Sequence, residues 1–231
     1  MRATHAGALM PHPLVPPSTD PFFASVVLLI HPDETIVDRS QYGHTLTIVS
    51  TTVSAAHPGP SNTAAMLNSD PAGSGVTAAA SAAFARTLGE PWTMEWSVRM
   101  PASYSPLANT VPMAWNSGMY HSISAPGGNL SIGYVDGASD SYGNFSDSTW
   151  YQICVSYDGT TRYQFVNGVL VTSALASLLA NPGTPKFGVF RIPDRADLNS
   201  FPGEIAEVRL TMGVCRYTAT YTPSSTPFPD S

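Results

Sequence analysis

The most regular alternation in the chain is Trp92-Thr93-Met94-Glu95-Trp96-Ser97-Val98-Arg99-Met100. Trp92, Met94, Trp96, Val98 and Met100 recur at every second position. That period is a strand's, because successive strand side chains point to opposite faces. It predicts an apolar face of five large side chains turned to a core, and a polar face that leaves Glu95 and Arg99 on the surface. A second alternation sets Tyr151, Ile153, Val155 and Tyr157 against Gln152, Cys154, Ser156 and Asp158. Val26-Val27-Leu28-Leu29-Ile30 is apolar without interruption, as in a strand covered on both faces. Further strands are predicted over 45–49, 129–135, 162–166, 169–171, 186–192 and 205–212.

The turns fit these strands. Asp158-Gly159 reads as a turn, and Asn167-Gly168 between two apolar runs is a strong hairpin signal. Residues 78–86, Ala-Ala-Ala-Ser-Ala-Ala-Phe-Ala-Arg, have high helix propensity but no amphipathic stripe. A single turn at the edge of the strands is expected there. The whole is an all-β pattern. A length of 231 residues suits one large sandwich, and no internal repeat or interior linker divides it.

The first 21 residues differ. Pro11, Pro13, Pro16, Pro17 and Pro21 exclude helix and cannot donate sheet hydrogen bonds. Residues 1–21 are therefore read as an extended N-terminal arm and 22–231 as the folded domain. Pro11, Pro13, Pro16 and Pro17, with Phe22 and Phe23 as apolar anchors, are candidates for docking on a partner. Proline limits the free arm's conformations, so less entropy is lost on docking.

Composition narrows the function. Only 11% of residues are charged, the net charge is −6, and Lys186 is the only lysine. Nucleic-acid binding needs clustered Lys and Arg, and the arginines are scattered, so that class is excluded. The longest apolar run is too short to span a bilayer. The N-terminus has no apolar core of a secretory signal, so synthesis in a cytoplasm is expected. A surface so poor in lysine suits a protein covered by partners.

The order of motifs resembles the laminin-G-like (concanavalin A-like) jelly-roll proteins, especially the versions found in bacteriophage virions. Four stretches carry the likeness: Val26 to Asp33 with Val37-Asp38-Arg39-Ser40; the alternating strand 92–100; 149–153 through Asn167-Gly168; and 201–229. The last holds Glu204-Ile205-Ala206-Glu207-Val208-Arg209-Leu210-Thr211, then Cys215-Arg216-Tyr217-Thr218-Ala219 and a closing Pro227-Phe228-Pro229. The resemblance covers about residues 22–229 and implies a two-sheet antiparallel jelly-roll sandwich. Two departures stand out. Ala206 stands where the family usually has an acid. Cys154 and Cys215 stand where it commonly has Ala, which implies small hydrophobes and free thiols.

The resemblance implies a structural virion protein of a tailed phage, expected to be a capsid decoration (cement) protein. It would bind capsid subunits through its sandwich surface and arm, as a homo-oligomer located in the virion and made in the host cytoplasm. The alternative is a glycan-binding tail-fibre or tail-surface module. Exposed loop aromatics would serve it, the candidates being Tyr104, Tyr120, His121, Tyr134 and Tyr142.

An enzyme is not expected. A glycanase needs two facing carboxylates, but Ser97 and Arg99 occupy the i+2 and i+4 places from Glu95. Glu204 and Glu207 are three apart and so expected on opposite strand faces, with Glu207 pairing Arg209. No Gly-x-Ser-x-Gly elbow is present, and the histidines are expected in arm or loop positions without zinc spacing. No cofactor is expected. Asp136 with Asp140, and Asp194 with Asp197, could offer oxygens to Ca2+, but two acids per loop fall short of its six to eight ligands.

Overall fold

The computed structural model describes residues 19–231 except 34, 56–58, 62, 71–72, 103–109, 116–118, 125–128, 135–138, 176–183, 194 and 196–198, and for 124, 129–134, 139–144, 175 and 199 it describes the backbone. The strands are β1 (Val26–Ile30), β2 (Leu46–Val49), β3 (Thr51–Ser54), β4 (Ala65–Asn68), β5 (Gly75–Ala78), β6 (Trp92–Arg99), β7 (Thr110–Trp115) and β8 (Met119–Ser124). They continue as β9 (Asn129–Tyr134), β10 (Ser139–Asn144), β11 (Trp150–Tyr157), β12 (Thr161–Val166), β13 (Val169–Leu175), β14 (Phe187–Val189), β15 (Asn199–Ser200) and β16 (Gly203–Met212).

They form two sheets. Sheet A runs β13-β12-β11-β6-β16-β4-β3, with β1 also paired to β16. Sheet B runs β10-β9-β8-β7-β14-β5-β2, with β15 beside β7. The expected antiparallel arrangement holds throughout except at β15, which pairs β7 in parallel.

The core lies between the sheets, where Trp92, Met94, Trp96 and Val98 of β6 meet Met113 and Trp115 of β7 and Phe187 of β14. Trp92 and Trp115 cross edge to face at 5.4 Å, a favoured aromatic geometry. The Ala-rich segment makes one 3-10 turn, Ala82–Phe84, started by the Ser81 hydroxyl accepting the Ala83 N–H. Phe84 is fully buried, and its carbonyl accepts the Trp115 indole N–H at 2.8 Å. The Asn167-Gly168 hairpin forms as expected, with φ of 51° and 75°.

Sheet A has an unexpected outer face. Glu95, expected on the surface, is buried, as are its neighbours Thr93 and Ser97 on the same face. The last 19 residues explain this, because the chain after β16 folds back over the polar side of β6, β11 and β12. Tyr217 and Tyr221 stack at 3.7 Å and close edge-on against Phe165. The Tyr221 N–H donates to Gly168 O at 2.9 Å, and a Cβ on Gly168 would stand 2.1 Å from the Tyr221 carbonyl oxygen. Gly168 thus serves both the hairpin and this tail. The Asp20 N–H donates to the Ser231 carbonyl, so the first described residues and the chain end meet.

Candidate functional site

Sheet A's outer face divides into a covered and an open half. Under the tail, Arg209 donates from Nε to Glu95 Oε2 at 2.7 Å and from Nη1 to Asp20 Oδ2 at 3.1 Å. Arg216 grips both Asp20 oxygens at 3.0 and 2.7 Å. Burial alone would raise the Asp20 pKa, but the hydrogen bond and charge of Arg216, the Phe22 N–H and Arg209 outweigh it and hold it below the usual carboxylate value. The Arg209 guanidinium lies 3.8 Å over the Phe228 ring. A cavity of about 100 Å³ remains here, lined by Glu95, Ser97, Arg209, Tyr217, Tyr221 and Phe228 among others.

Glu207 corrects two expectations. It has φ of 53° and sits where the β16–β6 register breaks between Ala206 and Arg209. This bulge adds one residue, so Ile205 and Val208 both face the core although three apart. Glu207 therefore does not oppose Glu204 as simple alternation predicts. Nor does it pair Arg209. It receives His31 Nδ1 at 3.0 Å and the Phe228 N–H at 2.8 Å. At Ala206 the loop packs so tightly that a Cβ on Gly59 would stand 2.8 Å from the Ala206 Cβ.

The open half lies at the other end of β6 and β16. A groove of about 590 Å³ is lined by Ser54 and Leu67, by Arg99, Pro101 and Ser148, and by Pro202 and Glu204, with Asn68, Ser69, Ala102 and Gly203 completing it. Its volume falls in the range of ligand sites, about 300–1,000 Å³. Arg99 and Glu204 are paired in register and form an ion pair. The Arg99 Nε also donates to Ser148 O at 3.1 Å. Trp150 stands opposite Arg99 in the β11–β6 ladder. Its neighbours Tyr151 and Ile153 pack toward the core, so alternation places Trp150 on the same outer face, where it is half-buried. Trp150, Arg99, Glu204 and Leu67 thus form one row across four strands.

The predicted glycan residues do not converge. His121 is not on a loop. It lies in β8, fully buried, with its ring 4.4 Å from Trp96. The physical reason is alternation again: Met119 and Ile123, two positions either side, also face the core. Burial, then the charge of Arg162, pushes its pKa down to about 3. Tyr120 is half-buried on the outer face of sheet B against Val111, Ala114 and Ile192. Tyr134 and Tyr142 are described by backbone alone, in β9 and β10, and Tyr104 lies outside the described residues.

Pro11, Pro13, Pro16 and Pro17 also lie outside the described residues. Phe22 is 41% exposed with the Arg216 guanidinium 5.2 Å from its ring, and Phe23 is half-buried in a 3-10 turn. Asp136, Asp194 and Asp197 are not described, nor is the Asp140 side chain. Among the described residues, no three His, Cys, Asp or Glu side chains are grouped to hold a metal. None of the described helices is long and apolar enough to cross a membrane. Both cysteines are free thiols as expected, with Cys154 buried and Cys215 partly so.

Arg99, Glu204 and Trp150 were not among the residues singled out for binding. Trp150 was within reach, since the alternation that buries Tyr151 places it outside. The Arg99–Glu204 pairing joins strands 105 positions apart, and no local pattern reports it.

The chain belongs to the concanavalin A-like lectin/glucanases superfamily, whose family model matches residues 70–214. This is the laminin-G-like jelly roll that the motif order resembled. No curated protein sequence matches the chain. Among solved structures, the binding domain of Paraclostridial Mosquitocidal Protein 1 superposes with a TM-score of 0.65 at 12% identity, over 85% of this chain and 50% of that one. The binding domain of Botulinum Neurotoxin DC in complex with SialylT gives 0.60 at 14%, over 90% and 49%. Domain 4 of AbnA, an extracellular arabinanase of Geobacillus stearothermophilus, in complex with arabinotriose, gives 0.56 at 13%, over 83% and 94%. The chain spans about half the length of the first two structures. At these identities the likeness is one of fold.

Proposed function

We propose that this chain is a non-catalytic binding module whose ligand is a glycan, held in the open groove on the outer face of sheet A. One observation carries the reading: a groove of about 590 Å³ places an Arg99–Glu204 pair beside hydroxyl-bearing Ser54 and Ser69 and apolar Leu67 and Pro202. Trp150 stands in the same row. Sugars present hydroxyls at their edges and C–H groups on their faces, and polar groups set in an apolar lining match both. The AbnA domain bound to arabinotriose and the neurotoxin domain bound to SialylT lend support by fold.

A non-catalytic role is supported by the carboxylates of sheet A's outer face. Glu95 is held by Arg209, Glu204 by Arg99 and Glu207 by His31. Each of these carboxylates is already engaged by a neighbouring side chain before any substrate arrives.

Capsid decoration and a virion location gain nothing from the matches described above. That reading rests on the motif resemblance and on the lysine-poor surface, so glycan binding takes the lead. A glycan array separates the two. Binding lost in Trp150→Ala and kept in Tyr120→Ala supports the groove. Loss in Tyr120→Ala alone moves the site to sheet B. No glycan binding, with particle attachment that requires residues 1–21, returns the chain to capsid decoration.

A further inference from the structure

We infer that the groove selects uncharged glycans and rejects anionic ones, such as sialylated, uronate or sulfated chains. The inference rests on the groove being the binding site and adds the class of ligand it takes.

Of the residues lining the groove, Arg99 and Glu204 carry the charge, and they neutralise each other. An anionic sugar would have to compete for Arg99 with a carboxylate already beside it, weakening an ion pair at a site where Glu204 is 4% exposed. Truncating or diverting one partner of a buried charge pair is costly because the other charge is left behind. Among the described residues that adjoin the lining residues in sequence, none is a cation. The residues that flank Ser69 and Ser148 in sequence include Asp70 and Asp147, both acidic. Arg209 and Arg216, on the same sheet's far half, are committed to Glu95 and Asp20. The chain's net charge of −6 opposes a polyanion at longer range as well.

The same pair suits a neutral sugar. A guanidinium offers only donors and a carboxylate only acceptors. Set side by side, they match two adjacent hydroxyls, each of which both donates and accepts. Neither partner has to give up its charge neutralisation.

The test is a panel of soluble glycans titrated into the intact chain: arabinan, galactan and mannan oligosaccharides against sialyllactose, oligogalacturonate and heparin fragments. The expected result is binding of at least one neutral series at least about tenfold tighter than every anionic one. Raising salt from about 50 to about 500 mM should change that affinity less than about twofold, since screening acts on charge. Glu204→Gln should release Arg99 and raise affinity for oligogalacturonate or sialyllactose by about tenfold. A folded Glu204→Gln protein without that gain counts against the inference. If that variant does not fold, the wild-type panel and its salt series decide. Anionic binding as tight as neutral binding, abolished by Trp150→Ala, overturns the charge selection and leaves the groove as the site. Absence of binding in both series removes the groove reading, and this inference with it.

Discussion

Arg209–Glu95 and Arg99–Glu204 stand on the same two strands, β6 and β16, and on the same sheet face, yet they live in different surroundings. The Arg209 and Glu95 side chains are each 5% exposed, sealed under the C-terminal tail with Asp20, Arg216 and Phe228. Glu204 is also nearly covered, at 6%, but Arg99 is 16% exposed, and both line the groove. What separates them is the tail's reach. One pair is shut away from water and fixes Asp20 and the C-terminal tail to the sheet. The other keeps one side free, and only a free side can meet a ligand. Similar residues become structural or functional according to what covers them.

The largest expected effect comes from breaking the covered pair. Arg209→Met leaves Glu95 with the more distant Arg216 Nε at 3.8 Å and should destabilise the fold by about 3–5 kcal/mol. Arg99→Met also strands a buried carboxylate, but it breaks one ion pair where Arg209 holds both Glu95 and Asp20, so it should cost less, about 2–3 kcal/mol. Urea denaturation of both variants measures the difference. Equal losses would erase the distinction between the halves.

Acid tests the core beneath sheet B. The His121 pKa is about 3 in the folded chain, far below its ordinary value of 6.5. The unfolded chain therefore binds a proton below about pH 6.5 that the folded chain refuses. Stability from this group is complete above that pH and falls by about 1.4 kcal/mol per unit as pH drops toward 3. At pH 4.5 the loss is about 2–3 kcal/mol, and His121→Leu should remove it from a pH series of denaturation midpoints. The acid loss that remains belongs to carboxylates such as Asp20, whose lowered pKa gives stability that is lost as pH falls through it.

Gly168→Ala meets both a left-handed φ of 75° and the Tyr221 carbonyl. The left-handed backbone alone should cost about 1–2 kcal/mol, the clash adds to it by displacing the tail, and amide exchange should rise through the tail while exchange at the groove stays unchanged. The smallest change in stability is expected at Trp150→Ala, below about 1 kcal/mol. Its ligand affinity should nevertheless fall about tenfold, which is about 1.4 kcal/mol of binding.

The strands with clean alternation or unbroken apolar runs were legible: β1, β6, β11, the hairpin of β12 and β13, and β16. The strands that went unseen have reasons. β7 carries Pro112 at an irregular register, where proline argues against a central strand. β8 and β10 are rich in serine, and β3 to β5 are four-residue segments with at most two large apolar side chains each, unlike the equally short β2 with Leu46, Ile48 and Val49. Missing β8 is what turned His121 into a presumed loop residue. Burial of Glu95 was illegible for another reason: the tail that covers it begins more than 100 positions later. The groove depends on the same kind of long-range placement, whereas Trp150's face follows from its neighbours.

The most direct test is a crystal structure of the full chain with a neutral oligosaccharide bound. The sugar is predicted on the open half of sheet A, with hydroxyls on Arg99 and Glu204 and a ring face toward Trp150. A sugar seated on sheet B beside Tyr120, with the groove empty, would contradict the division of labour between the two halves.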